Sequence, residues 1–170
     1  MLREYIKLQD VFTENVIKSI DNFLRIDYFG LSFESIGILS MLITDVLEIK
    51  GLPPLGDEDD LKDMKENLIT AKIEAIAANT VANTKMMPKW ITIKLGFQQY
   101  RYLFFAEVNK YYYYMLAEGN LKFHKEVLNN ITNFLLEVSQ DPFEGNLKRF
   151  SKVKSQIGTY LREFNAQFEI

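Results

Sequence analysis

Side chains able to do chemistry are few in this 170-residue chain. There is no cysteine, which excludes a disulfide framework and any cysteine-based metal or redox site. The one histidine, His124, leaves a single chain short of imidazoles for a His-built metal cluster or a Ser-His-Asp triad. It stands beside Phe123 and Val127 in a helical stretch, where packing is a better account than catalysis. Glu34, Asp45 and Glu48 are close in sequence, but nothing in their spacing sets the separation that a paired-carboxylate mechanism requires. The glycines are scattered, with neither a P-loop nor a G-x-G-x-x-G string, so the chain is not expected to hydrolyse nucleotides. No catalytic residue, cofactor or metal ligand is assigned, and the expectation is a protein that is not an enzyme.

Three clusters suggest binding. Tyr100, Tyr102 and Tyr111–Tyr114 offer faces on which bases could stack. Only Arg101 and Lys110 are interleaved with them and the net charge is −3, so core packing is preferred and no nucleic-acid partner is expected. Lys148, Arg149 and Lys152, with Lys154 and Arg162, form a basic outward face on the last helix. That face is either solvated or a site for an acidic partner or anionic membrane, and the first three residues are the candidate partner-binding set. Asp57–Asp60 precede a helix and read as dipole-complementing residues with Asp57 as N-cap; a metal or basic partner is the alternative.

The elements that position these residues follow from periodicity. Residues 1–26 read as an amphipathic helix ended by Gly30. Ile36–Thr44 suits a buried strand, followed by a turn at Asp45 and an edge-like strand over Val46–Leu52, while a single helix over 36–50 competes. Pro53-Pro54 and Gly56 stop regular structure, and a helix is expected over 58–84. It carries two apolar ridges. One is Leu61, Met64, Leu68, Ala71, Ala75, Ala78 and Ala82, and the other is Ile69, Ile73, Ile76 and Thr80. A helix lying on a sheet needs one stripe, so the alanine ridge suggests a subunit interface, with a tight contact to the sheet within one domain as the alternative.

Three strands then follow in succession, Lys89–Gly96, Gln99–Val108 and Lys110–Glu118. The last two are apolar or aromatic on both alternating faces and so need a covering layer on each side. The first is one-sided and suits a sheet edge. A helix over 121–139 comes next. Asp141-Pro142-Phe143-Glu144 then has the signature of a helix start, for a helix over 142–168. Length and composition fit one domain, with 48% apolar and 25% charged residues. No apolar run is long enough to span a bilayer, and Met1–Asp10 mixes charges without a signal-peptide core. The expected location is cytoplasmic, without membrane insertion.

The order helix, strand, strand, helix, three strands, helix resembles the roadblock/LC7 family. Trp90–Val138 looks like the second half of such a domain. Ile38–Leu55, with Asp45 and Gly51-Leu52-Pro53, is similar to the family's first hairpin, although its Asp-Gly-Leu-Pro-like string is split here. The related longin fold also ends in two helices but normally begins at its first strand. The resemblance implies an α/β (α+β) fold with a central antiparallel five-stranded sheet between helices. Residues 1–139 would form the domain and 140–170 a C-terminal helical extension packed on it. It further implies a homodimer, or a pair with a related roadblock chain, that binds small Ras-like GTPases or assembles a trafficking or signalling complex. The dimer interface would be Ala71, Ala75, Ala78, Ala82, Trp90, Thr92 and Lys94. A second expectation is a small-ligand sensory module with an aromatic pocket near Tyr112 and Tyr114.

Overall fold

The computed structural model describes residues 23–47, 57–96, 99–119 and 121–168. They form an α+β fold around one five-stranded sheet. The strands are β1 (Leu24–Phe33), β2 (Ile36–Leu42), β3 (Trp90–Gly96), β4 (Gln99–Val108) and β5 (Tyr111–Gly119). Every pairing is antiparallel, in the order β2-β1-β5-β4-β3. The helices are α1 (Glu58–Thr84), α2 (His124–Leu135) and α3 (Ser151–Ala166), and a short 3-10 turn precedes each of the last two.

Both central strands, β1 and β5, are buried on both sides. Phe29, Leu31 and Phe33 of β1 with Tyr111, Tyr113 and Met115 of β5 face a layer made by α2 and α3. Val127, Ile131 and Leu135 of α2 and Val153, Ile157, Leu161 and Phe164 of α3 complete that core. On the opposite face Tyr28, Tyr114, Leu116, Leu103 and Phe105 meet Ile69 and Ile73 of α1.

A polar seam fixes how α1 crosses the sheet. Glu66, Thr70 and Glu74 are spaced by four and so share one helix face. Glu66 accepts from the backbone N–H of Leu42 at 2.8 Å, Thr70 shares a hydrogen bond with the Tyr28 hydroxyl, and the Tyr114 hydroxyl donates to Glu74 at 3.5 Å. Those partners lie on β2, β1 and β5, three successive strands. Ile69 and Ile73, both buried, flank the seam.

Several sequence expectations meet a different structure. Of the helix expected over 1–26, residues 1–22 lie outside the described residues, and Leu24–Ile26 belong to β1. Gly30 is not a break. It pairs with Tyr114 inside the sheet, and the tyrosine ring lies across it, so that a Cβ there would come within 2.1 Å of the ring. The first hairpin is 24–33 with 36–42, and its turn is Glu34-Ser35 rather than Asp45. Both turn residues have positive φ, 47° and 68°, as a two-residue type I′ turn requires. Glu-Ser lacks the Asn or Gly that normally announces this geometry, which is why the turn is silent in the sequence. Asn109-Lys110 adopts the same geometry between β4 and β5, where its asparagine did signal a turn. A helix over 36–50 is excluded at Ile36–Leu42, and Val46-Leu47 are not strand; residues 48–56 lie outside the described residues.

The C-terminal third also departs from expectation. Asp141–Glu144 are not helical, because the carbonyls of Val138, Asp141 and Pro142 turn inward to accept from the Arg149 guanidinium. The helix begins after Asn146, whose side chain accepts from the Lys148 N–H. Among the described residues α2 and α3 build the layer over the Phe29 and Tyr113 face of the sheet. α3 is tied to β1 by Asn165, whose side-chain amide bonds both the N–H and the C=O of Ile26 at 2.8 Å. The β1–β2 pairing reaches only to Tyr28, so this amide replaces the strand that Ile26 lacks on that side.

Two stability outcomes follow. Gly30→Ala is expected to cost about 1–3 kcal/mol in urea unfolding by overpacking against Tyr114. Combined with Tyr114→Leu, it should cost less than the sum of the single changes, and strict additivity would refute the ring contact. Asn165→Ala is expected to cost about 1–3 kcal/mol for each Ile26 backbone group left unpaired.

Candidate functional site: the outer face of the middle helix

Three of the tyrosines and the histidine are absorbed into packing. Tyr111, Tyr113 and Tyr114 are buried, and each hydroxyl is committed within the fold. Tyr111 donates to the Asp141 carbonyl at 2.7 Å and accepts from Arg149 at 2.7 Å. Tyr113 bonds the Leu128 carbonyl and the Thr132 hydroxyl, both at 3.0 Å. Burial pushes the Tyr111, Tyr113 and Tyr114 hydroxyls above the ordinary tyrosine pKa. Rings held this way cannot serve as a stacking platform for bases. His124 opens α2 stacked on Phe104, with ring centres 5.5 Å apart, and meets Trp90 edge-on.

The basic set on the last helix divides. Arg149 turns inward, holding three carbonyls and the Tyr111 hydroxyl while its guanidinium lies over the Phe150 ring. It is a latch between the 3-10 turn before α3 and the start of β5, so the outward reading does not hold for this residue. Lys148 and Lys152 are exposed. Asp57 caps α1 by accepting from the Glu58 N–H at 2.8 Å, and Glu58, Asp59 and Asp60 fill the first turn. Among the described residues no three His, Asp or Glu side chains converge to hold a metal ion.

A buried charge cluster escaped the sequence reading. Asp27 forms a bulge in β1 and is fully buried. Its carbonyl accepts from the N–H of Ile43 and Thr44, and its carboxylate accepts from Thr44 Oγ1 and Arg25. Arg25 also pairs with Glu118 at 2.8 Å. The hydrogen bond to Asp27 is the main cause holding the guanidinium pKa above its usual value. This cluster ties the chain leaving β2 back to β1. Its only trace in the sequence is Arg25-Ile26-Asp27, two charges interrupting an apolar strand.

Among the described residues an apolar surface without a partner lies on α1. At about 100° per residue, Met64, Leu68, Ala71, Ala75, Ala78 and Ala82 lie on the side opposite Ile69 and Ile73. All six are exposed. The apolar surface continues through the connector to β3, with Met86 72%, Met87 37% and Trp90 49% exposed. β3 is an edge strand, as its one-sided pattern implied, with Ile91 and Ile93 packed toward α1 and Thr92 exposed. Lys94 pairs through its backbone with Tyr100 of β4. The alanine ridge and β3 were both legible in sequence, whereas Met86 and Met87 carry no periodic signal that would mark them as part of this surface.

A groove of about 620 Å³ opens under the C-terminal half of α1. Ala78 and Ala82 form one wall, and Phe105, Tyr112 and Tyr114 form the floor, with Glu74 beside them. Ala78 and Ala82 thus belong both to the groove and to the outward stripe.

No family model matches the chain, and neither the curated proteins nor the solved structures contain a match to it.

Burial holds the Glu74 carboxyl above the usual carboxylate range, against the opposing pull of the Tyr114 hydrogen bond. The folded chain therefore keeps this proton to higher pH than the unfolded chain. The Glu74 contribution to stability falls as pH rises from the ordinary glutamate value, about 4.3, through the raised folded one. Glu74→Gln, which mimics the protonated acid, is expected to raise Tm relative to the parent at neutral pH. At a pH below the ordinary glutamate value the two proteins should melt together. An unchanged difference across that range would refute the burial argument.

Proposed function

We propose that this protein is a non-enzymatic homodimeric scaffold, built on a roadblock/longin-like domain, that binds a small Ras-like GTPase or organises the subunits of a larger complex in the cytoplasm. The observation that carries the dimer is the exposed stripe Met64–Ala82, continued by Met86, Met87 and Trp90. Alanine at four positions of the stripe allows two helix backbones to approach closely across a two-fold axis.

The magnitude decides how much surface must take part. A stripe of about 19 residues is roughly 28 Å long and, at a helix width of about 10 Å, offers roughly 300 Å² per copy. A stable interface needs about 800 Å² per partner. The connector and the β3 edge at Trp90, Thr92 and Lys94 are therefore part of the proposed contact, with strand pairing adding backbone hydrogen bonds. The described order β-β-α-β-β-β-α-α, with one helix on one face and two on the other, supports a roadblock/longin-like reading at the level of element order. The proposed GTPase partner rests on that resemblance.

The groove beside Tyr112 and Tyr114 favours a second reading, a small-ligand sensory module, because its volume lies in the usual range for ligand sites. One pair of measurements separates the two. Light scattering at micromolar concentration is expected to give twice the chain mass for the parent, and the single-chain mass for Ala75→Glu and Ala78→Glu with unchanged circular dichroism. Those dimers should retain a member of a panel of purified small GTPases. A monomeric parent whose Tm rises only with a small metabolite would replace the scaffold reading with the sensory one.

A further inference from the structure

The other edge of the sheet, β2, lies at the bottom of a trough between α1 and α3. Two adjoining hollows of about 410 and 610 Å³ run along it and share Asp63, Glu66, Ser151 and Lys154. In an antiparallel pair, alternate residues of an edge strand point their N–H and C=O away from the neighbouring strand. The Leu42 N–H points outward, since it donates to Glu66 and not to β1. Ser40, two residues earlier, presents its backbone groups in the same direction, into the trough. Exposed edges are normally protected by a charged residue or a proline. β2 reads Ile-Gly-Ile-Leu-Ser-Met-Leu and has neither.

The walls carry opposite charge. Asp59, Asp63 and Glu66, at i, i+4 and i+7, line the α1 wall with one lysine, Lys62, among them, so that wall is acidic on balance. Lys154 and Arg162, two turns apart, form the α3 wall. Gly158 sits between those two. A Cβ there would lie 3.0 Å from the Arg162 guanidinium and 3.4 Å from the Met41 sulfur, so its absence lets Arg162 lie along the helix beside β2. Among the described residues none of these six charged groups forms an ion pair. Glu66 is only 8% exposed, and the Leu42 N–H is its one described partner. A carboxylate buried that far without a countercharge is costly unless a cation is delivered to it.

We propose that the β2 trough is a strand-addition site for an extended peptide of alternating charge from a partner protein. The side chains of an added strand alternate between the two faces of the sheet. Basic residues meet Asp59, Asp63 and Glu66, and the acidic residues between them meet Lys154 and Arg162. The backbone of the peptide pairs with Ser40. This site lies across the sheet from the β3 edge and does not depend on the dimer.

The test uses the full chain and two labelled peptides of equal composition, one strictly alternating Lys and Glu and one with the same residues in two blocks. Fluorescence anisotropy at low salt is expected to show the alternating peptide binding about tenfold more tightly than the block peptide. Asp63→Asn and Lys154→Ala, both on surface helix positions, should each weaken the alternating peptide several-fold. Slower hydrogen exchange at the Ser40 amide in the bound state would support strand pairing. Glu66→Gln should also weaken binding, provided circular dichroism shows it folded; the first two variants carry the test if it is not. Equal binding of the two peptides, or no binding up to about 1 mM, overturns the proposal. So does a dimer that Asp63→Lys dissociates, because that assigns the trough to a second copy.

Discussion

A strand of consecutive tyrosines buried on both faces is the constraint on which the rest of the structure depends. Burying a tyrosine ring is favourable, but burying its hydroxyl without a partner costs about as much as a lost hydrogen bond. Tyr111, Tyr113 and Tyr114 of β5, with Tyr28 of the neighbouring β1, therefore dictate what each covering helix must bring. α2 brings the Leu128 carbonyl and Thr132, the 3-10 turn before α3 brings Arg149, and α1 brings Thr70 and Glu74.

That requirement also explains why α1 has a surplus apolar face. Its inward side mixes the Glu66-Thr70-Glu74 seam with Ile69 and Ile73, and a single helix so oriented covers the sheet only along a diagonal. The stripe from Met64 to Ala82 has no place in this packing and points away from it. Alanine is the best helix former, yet a run of exposed alanines and methionines gains nothing from solvent. The scaffold proposal accounts for it by a contact outside the described fold.

How much was legible varied with the length and strength of each local signal. α1 was readable to its ends because Asp57, the acidic first turn and 27 residues of helix-compatible sequence agree. β3, β4 and β5 were readable because alternation and the asparagine turn agree. β1 was not, because Gly30 looked like punctuation when its role is to admit the ring of Tyr114, 84 positions away in the chain. The hairpin turn at Glu34-Ser35 was invisible because its left-handed residues are not of the types that favour that geometry. Asp141-Pro142 carried a helix-start signature that lost to Arg149, whose guanidinium needs the carbonyls a helix would have used. On the candidate surface the alanines and Trp90 could be picked out by pattern, whereas Arg149 was misplaced because helical periodicity cannot show a side chain folding back over a loop.

The sequence by itself determined which elements form wherever local pattern and capping agree, and that one strand block must be covered on both faces. It also determined that α1 carries one apolar ridge more than a sheet can use. Tertiary structure alone decided which strand became the second central one, which helices cover which face, and where α1 lies. Those outcomes rest on pairings between distant residues: Gly30 with Tyr114, Asn165 with Ile26, and Arg149 with Tyr111. Such pairings follow from the satisfaction of buried polar groups and the fit of rings in three dimensions, and periodicity along the chain does not encode either.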